Sequence, residues 1–178
     1  MSDGHQPKRP GFAQRQDLGG ERRFNDACQV LLFAVFVAVV VLDLAVLDLS
    51  APIRRAVPLL FRLPAALVVL SLALYLAWAS MNTVFGEVRE SLQVIRHGLY
   101  GVVRHPMYLG AMLAYLGVCL LTLSVLGFGV FGIVIIYYVG TCRYEEHLLI
   151  QKLGDEYRQY RAEVPMFIPN RARPWLPR

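Results

Sequence analysis

The chain has 178 residues, of which 56% are hydrophobic and only 17% charged, with a net charge of +5. Soluble domains carry about a quarter of their residues as charges, so an ordinary soluble fold is excluded. A single all-α domain, a polytopic membrane helical bundle, is expected instead, because only helices or closed barrels satisfy the backbone in lipid. The basic excess is explained below by membrane topology and by attraction to anionic lipid, and it implies no nucleic-acid partner.

Residues 1–27 form a polar, basic tail with no short apolar stretch followed by a small-residue cleavage site, so no signal peptide is expected. Residues 30–49 are apolar apart from Asp43 and Asp48, and residues 59–80 are apolar throughout except for Arg62. Between them, residues 50–55 carry Pro52, Arg54 and Arg55, a turn signal. Asp43 and Arg62 lie toward the same end of these two spans, and an ion pair between them is expected. Residues 107–142 contain no Asp, Glu, Lys, Arg or His over 36 positions. A single helix of that length would reach about 54 Å, so two spans joined by a tight turn near residues 122–129 are expected. The count is then about four transmembrane helices.

An even number of spans places both termini on one side. That side, with residues 81–107, holds 15 of the 18 Lys and Arg residues, which makes it cytoplasmic by the positive-inside rule and the protein an inner- or plasma-membrane one. The hairpin returns Arg143, Tyr144, Glu145 and Glu146 to the side of Arg104, His105 and Pro106. Ionisable residues at membrane depth mark function by default, although either arginine also suits a flanking charge that snorkels to head groups. The glutamate pair either neutralises those arginines or holds a cationic ligand. Leu149, Leu153, Tyr157, Tyr160 and Val164 recur at helical spacing, as a membrane-surface helix or a lid, with Gly154 ending its first part and Asp155 capping its second. Cys28, Cys119 and Cys142 are widely spaced in apolar surroundings, so neither a disulfide framework nor a metal site is expected.

An ordered set of short pieces runs through the second half of the chain: Gly98-Leu99-Tyr100, then Arg104-His105-Pro106-Met107-Tyr108-Leu109-Gly110, then the charge-free hairpin. Arg143-x-Glu145-Glu146-x-x-Leu149 and Leu153-Gly154-Asp155-Glu156-Tyr157-x-x-Tyr160 follow, ending in Val164-Pro165. The set resembles the isoprenylcysteine carboxyl methyltransferase family over about residues 87–170, and phosphatidylethanolamine N-methyltransferases share a looser version. The resemblance makes residues 81–178 the catalytic half, and implies S-adenosyl-L-methionine as cofactor and a lipophilic methyl acceptor at the cytoplasmic interface. No strand followed by a Gly-rich turn offers a Rossmann alternative. By position, His105, Pro106 and Tyr108, with Tyr100 and Arg104, would line the cofactor pocket, and Gly110 would permit close approach. Glu145 and Glu146 would hold the ammonium and ribose hydroxyls, and Arg143 would face the acceptor, making Arg143 and Glu146 the catalytic pair. An arginine fork suits a carboxylate acceptor, whereas an amine or thiol acceptor would need a proton removed, by His105 or a glutamate. A structural histidine bonded to a backbone carbonyl is the other reading of His105. Outside the enzymes, a membrane scaffold or small transporter would keep the same helices.

Overall fold

The computed structural model describes residues 22–85 and 93–169. The basic tail up to residue 21, together with residues 86–92 and 170–178, lies outside the described residues. The order is α1 (Arg22–Leu42) running into a π-helical turn (Asp43–Leu47), α2 (Ala51–Ala56), α3 (Leu59–Phe85), a 3-10 turn (Gly98–Gly101), α4 (Pro106–Thr122), α5 (Val125–Leu153) and α6 (Asp155–Glu163). This is an all-α membrane bundle.

Among the described residues, three stretches are long and apolar enough to cross a bilayer: Ala27–Leu47, Leu59–Val84 and Val125–Leu153. Helix α4 has 17 residues and reaches about 26 Å, against a hydrocarbon core of about 30 Å. The expected four spans are therefore three of full length and one short apolar helix. The 29-residue α5 compensates, since at about 44 Å it runs past the apolar layer and carries Glu145 and Glu146 on its last third.

The expected hairpin turn is tighter than the glycines suggested. Leu123, in a left-handed conformation with φ 51°, ends α4, and Ser124 caps α5 by accepting a hydrogen bond from the Gly127 amide at 2.9 Å. Gly127 and Gly129 already belong to α5. Ser124 also donates to Asp43 Oδ2 at 2.5 Å, as does Ser50 Oγ at 2.5 Å, and Ser50 Oγ accepts from the Val125 amide at 2.8 Å. The expected Asp43–Arg62 ion pair is not formed. Asp43 is fully buried and satisfied by these two hydroxyls and the Ser50 amide, while Asp48 takes Arg54 as its partner. Asp43 follows the buried Phe36 and Val40 at regular helical spacing and so faces inward, toward the α4–α5 junction where Ser124 lies.

The inner core joins α1, α4 and α5 through Phe36, Val40, Met112, Tyr115, Cys119, Val134 and Tyr138, with Phe36 edge-on to Tyr115 at 4.8 Å. Outward faces carry exposed Leu60, Val68, Leu74, Trp78 and Ile136, as a lipid-facing surface requires. Against lipid there is no hydrophobic drive to bring helices together, so close approach over small residues takes its place. Helix α4 meets α3 there: a Cβ at Gly110 would fall 3.0 Å from the Ala73 carbonyl oxygen and 3.3 Å from the Ala77 amide nitrogen. Gly110 thus serves helix contact, and the close approach expected for a cofactor is made by the α3 backbone.

That geometry separates two glycines that both lie inside apolar helices. Gly110→Ala should destabilise the protein by about 1–3 kcal/mol, because the obstructing atoms are backbone and cannot turn aside. Gly132→Ala on α5, where an added Cβ meets nothing within 4 Å, should be neutral or stabilising by up to about 1 kcal/mol. Thermal unfolding in detergent checks both, and a loss at Gly132 equal to that at Gly110 would contradict the packing.

Candidate functional site

The polar end of the bundle is assembled from three separate pieces of chain. Pro106, fully buried, occupies the first turn of α4, where a missing amide costs nothing, with His105 as the N-cap residue. On α5 the buried residues Val134, Tyr138, Cys142 and Glu146 recur every fourth position, so Glu146 faces inward and Glu145 to the side. After Gly154, with φ 58°, α6 folds back toward α4. Asp155 is the first residue of α6 and not its cap. Gly154 occupies that position, and the Asp155 carboxylate instead accepts from Arg158 one turn on.

Glu146 is the centre of the arrangement, with 1% of its surface exposed. Its Oε1 accepts from Arg104 Nε at 2.8 Å and lies 3.0 Å from His105 Nε2. With Glu146 ionised between arginines, His105 donates to it from Nε2. Histidine therefore bonds a carboxylate through its ring and not the backbone carbonyl considered from sequence. The second oxygen, Oε2, is 3.1 Å from Arg161 Nε as an ion pair, yet that contact lacks hydrogen-bond alignment, and Oε2 is buried without a hydrogen bond among the described residues. Beside Glu146, the Tyr108 hydroxyl donates to Glu145 Oε1 at 2.5 Å, and the Tyr108 ring lies 5.5 Å from that of Tyr138.

Arg104 ties the pieces together. While Nε holds Glu146, Nη1 donates to the carbonyls of Arg161 at 2.6 Å and Val164 at 2.8 Å, satisfying groups at the end of α6. The Arg104 and His105 amides donate to the carbonyls of Pro165 and Met166, which straps the segment after α6 along the start of α4. Phe167 is brought within 6.2 Å of the His105 ring. Between this strap and Arg104 opens a cavity of about 270 Å³ bordered by Arg161, Glu163 and Met166.

Tyr157, Tyr160 and Val164 form a second core with Val94, Leu149 and Leu153, so the helical stripe turns its tyrosines into the protein and not to the membrane surface. Burial pushes both phenols up from their ordinary value, helped at Tyr157 by the Glu146 charge and at Tyr160 by Tyr157, and they remain neutral donors at physiological pH. Tyr160 uses its hydroxyl on the Tyr100 carbonyl at 2.7 Å, so Tyr100 joins the site region through its backbone. Arg96 lies over the Tyr160 ring at 5.8 Å and donates to Glu163 and to the Glu156 carbonyl.

Of the expected residues, Arg104, His105, Pro106, Tyr108, Glu145 and Glu146 come together at one end. Gly110 faces α3, and Arg143 stands exposed on α5 outside this network. Arg161 and Phe167 were missed, because their closeness to Glu146 depends on α6 folding back, which no local pattern announces.

An integral membrane helical bundle with a buried, arginine-held carboxylate at the end of a helical hairpin is the class these features define. Residues 57–156, more than half of the chain, match the model of the phospholipid methyltransferase family, and the chain belongs to that family. It is 36% identical over 97 residues to the methanethiol S-methyltransferase of Mycobacterium tuberculosis, covering 53% of this chain and 36% of the relative. To methanethiol S-methyltransferase 1 of Bradyrhizobium diazoefficiens it is 42% identical over 71 residues, covering 40% of this chain and 24% of the relative. To the protein-S-isoprenylcysteine O-methyltransferase of Schizosaccharomyces pombe it is 34% identical over 77 residues, covering 43% of this chain and 33% of the relative. The aligned part spans about a third of these relatives or less. No solved structure matches the chain.

The two glutamates should differ in what they do for stability. Glu146→Ala would leave Arg104 buried without its counter-charge and should cost about 3–5 kcal/mol. Glu145→Ala, which loses one half-buried hydrogen bond, should cost about 1–2 kcal/mol. Thermal unfolding of the two variants checks the ranking, and equal losses would overturn it.

Proposed function

We propose that this protein is an S-adenosyl-L-methionine-dependent methyltransferase acting on a lipophilic acceptor at the cytoplasmic interface of the membrane. The observation that carries the reading is the second oxygen of Glu146, buried and ion-paired to Arg161 but, among the described residues, without a hydrogen bond. An ionised oxygen in that state demands a donor, and the cofactor's ammonium or ribose hydroxyls would supply one. Glu145 and Tyr108 would border the same ligand, with Pro106 and the Tyr100 region shaping its surroundings. Arg104 and His105 would act by holding Glu146. When bound, the cofactor would supply a methyl group on a sulfonium. The residues around it need to orient the acceptor and keep water out, and positioning alone is worth up to about 7–11 kcal/mol.

An apolar groove of about 330 Å³ between α1, α4 and α5, bordered by Phe33, Ala111, Ala114 and Tyr138, supports a lipophilic acceptor. Its Tyr138 wall adjoins Tyr108. The charge distribution supports the cytoplasmic side for this end, since 15 of 18 basic residues belong to it. For the acceptor group, a carboxylate is our first reading, because Arg143 offers an exposed guanidinium three residues before Glu146 on α5. A small thiol is the second, favoured by the relatives named methanethiol S-methyltransferases. A thiol must lose its proton, and His105 or a glutamate would accept it.

Binding of S-adenosyl-L-methionine to the purified protein tests the core of the proposal. Glu146→Gln should weaken it about tenfold or more, the effect of losing a charge-assisted hydrogen bond in a buried site. Unchanged affinity in a folded variant would overturn the assignment.

Transfer of labelled methyl to an isoprenylcysteine analogue and to an alkyl thiol then separates the acceptors. For a carboxylate, Arg143→Lys should keep cofactor affinity and lower single-turnover rate by about tenfold, since the bidentate fork is lost. Wild-type rates in that variant would move the preference to the thiol.

A further inference from the structure

Arg62 is a cation within a membrane-crossing helix, and the carboxylates nearest it in the chain are already taken. It lies in the first turn of α3, at the end of the bundle away from Glu146. Asp43 is held by the hydroxyls of Ser50 and Ser124, and Asp48 by Arg54. Arg62 Nε is buried without a hydrogen bond, and among the described residues no carboxylate pairs with the guanidinium. A charge at membrane depth is costly unless it is paired or reaches the interface, so this one calls for an anion from outside the chain.

Its surroundings narrow the choice. Arg62 heads a row at helical spacing with Ala66 and Ala73, both buried, on the side of α3 that α4 covers. Helix α4 runs antiparallel there, with Gly117 against Leu70 and Gly110 against Ala73. Continued at about 1.5 Å per residue, that register ends α4 at Thr122, about one turn short of Arg62. The guanidinium therefore emerges where its covering helix has run out. On the adjoining side of α3, Leu59, Leu63, Leu67 and Leu74 recur at helical spacing and are exposed. A cation at the head of an open apolar track matches a molecule with an anionic head and long hydrocarbon tails.

We infer that Arg62 anchors the phosphate of an anionic phospholipid in the leaflet opposite Glu146, with the acyl chains lying along Leu59, Leu63, Leu67 and Leu74. A guanidinium suits phosphate because its planar fork donates two hydrogen bonds to neighbouring oxygens. A zwitterionic lipid brings an ammonium as well, which the charge of this end disfavours, since Arg54, Arg55 and Arg62 outnumber Asp43 and Asp48. The site is independent of methyl transfer and lies at the far end of the bundle from the proposed reaction.

The experiment uses the full-length protein in detergent, with dioleoylphosphatidylglycerol, dioleoylphosphatidylcholine and inorganic phosphate as probes. Native mass spectrometry measures lipid binding, and thermal unfolding reads its effect. Phosphatidylglycerol at about 100 times its Kd should raise the wild-type melting temperature by about 5 °C, and phosphatidylcholine should have the smaller effect. Arg62→Met should bind phosphatidylglycerol about tenfold more weakly, whereas Arg62→Lys, which keeps the charge, should lose less. Lys152→Gln removes a positive charge from the opposite end and controls for the general attraction of a basic protein to anionic lipid. Its affinity should stay within about twofold of the wild type. Without lipid, Arg62→Met should melt no lower than the wild type, because no protein partner is lost, and added phosphatidylglycerol should then favour the wild type.

Equal phosphatidylglycerol affinity in Arg62→Met, Lys152→Gln and the wild type would overturn the assignment. An Arg62→Met protein that fails to fold, or that melts as far below the wild type without lipid as with it, would overturn it in favour of a structural role within the chain. Equal stabilisation by phosphatidylcholine would overturn the anionic class, and equal stabilisation by inorganic phosphate would replace the lipid with a free anion.

Discussion

Burying the Glu146 carboxylate is the constraint on which the polar end of the molecule depends. An isolated charge removed from water is prohibitively expensive, so the cations that compensate it must come from somewhere, and its own helix supplies none. They come from Arg104 before α4 and from Arg161 on α6, with His105 adding a ring donor. Arg104 and His105 belong to the segment before α4, and Arg161 to α6. Satisfying one carboxylate therefore dictates that α4 begins beside the end of α5 and that α6 turns back. The remaining donors of Arg104 then bind the carbonyls that end α6, so a single guanidinium serves charge neutralisation and helix termination together.

The opposite end of α5 solves the same problem by other means. Asp43 is also fully buried, yet its partners are two serine hydroxyls and an amide. The difference follows from position along α5. Ser124 and Val125 start that helix, where exposed amides and the helix dipole favour negative charge, so an anion there is stabilised without a cation. Glu146 lies toward the other end, beyond that help, and needs arginines. Between these two anchored acids runs a lean interior of Phe36, Tyr115, Val134 and Tyr138, surrounded by side chains that face lipid. Helix contact under those conditions relies on the close approach of backbones, as at Gly110.

A site built this way combines rigid and adaptable parts. Oε1 of Glu146 is fully committed to Arg104 and His105, which fixes the carboxylate plane, while Oε2 is left with an ion pair but, among the described residues, no hydrogen bond. Tyr108 and Tyr138 connect that polar centre to the apolar groove facing α1. A charged cofactor and a lipophilic acceptor have contrasting needs, and the two flanks of the hairpin offer contrasting surfaces.

The amino-acid sequence by itself determined the class of the protein, because a charge-free run of 36 residues admits few physical solutions and because bilayer thickness forces that run to fold in two. The hairpin in turn brought Arg104 and His105 to Glu145 and Glu146, and the four-residue step from Tyr138 through Cys142 already marks Glu146 as the inward member of the pair. Tertiary structure alone decided which partners those groups take. Arg161 reaches Glu146 only because Gly154 reverses the chain into α6. Gly110 faces α3, because the choice of neighbouring helix follows from close packing and leaves no periodic trace. Asp43 takes serines and not Arg62 as partners because Ser50 and Ser124 are brought to it from two other segments. Period and length are properties of consecutive residues and can be read from them, whereas a charge partner depends on distances between segments that exist only once the chain has closed on itself.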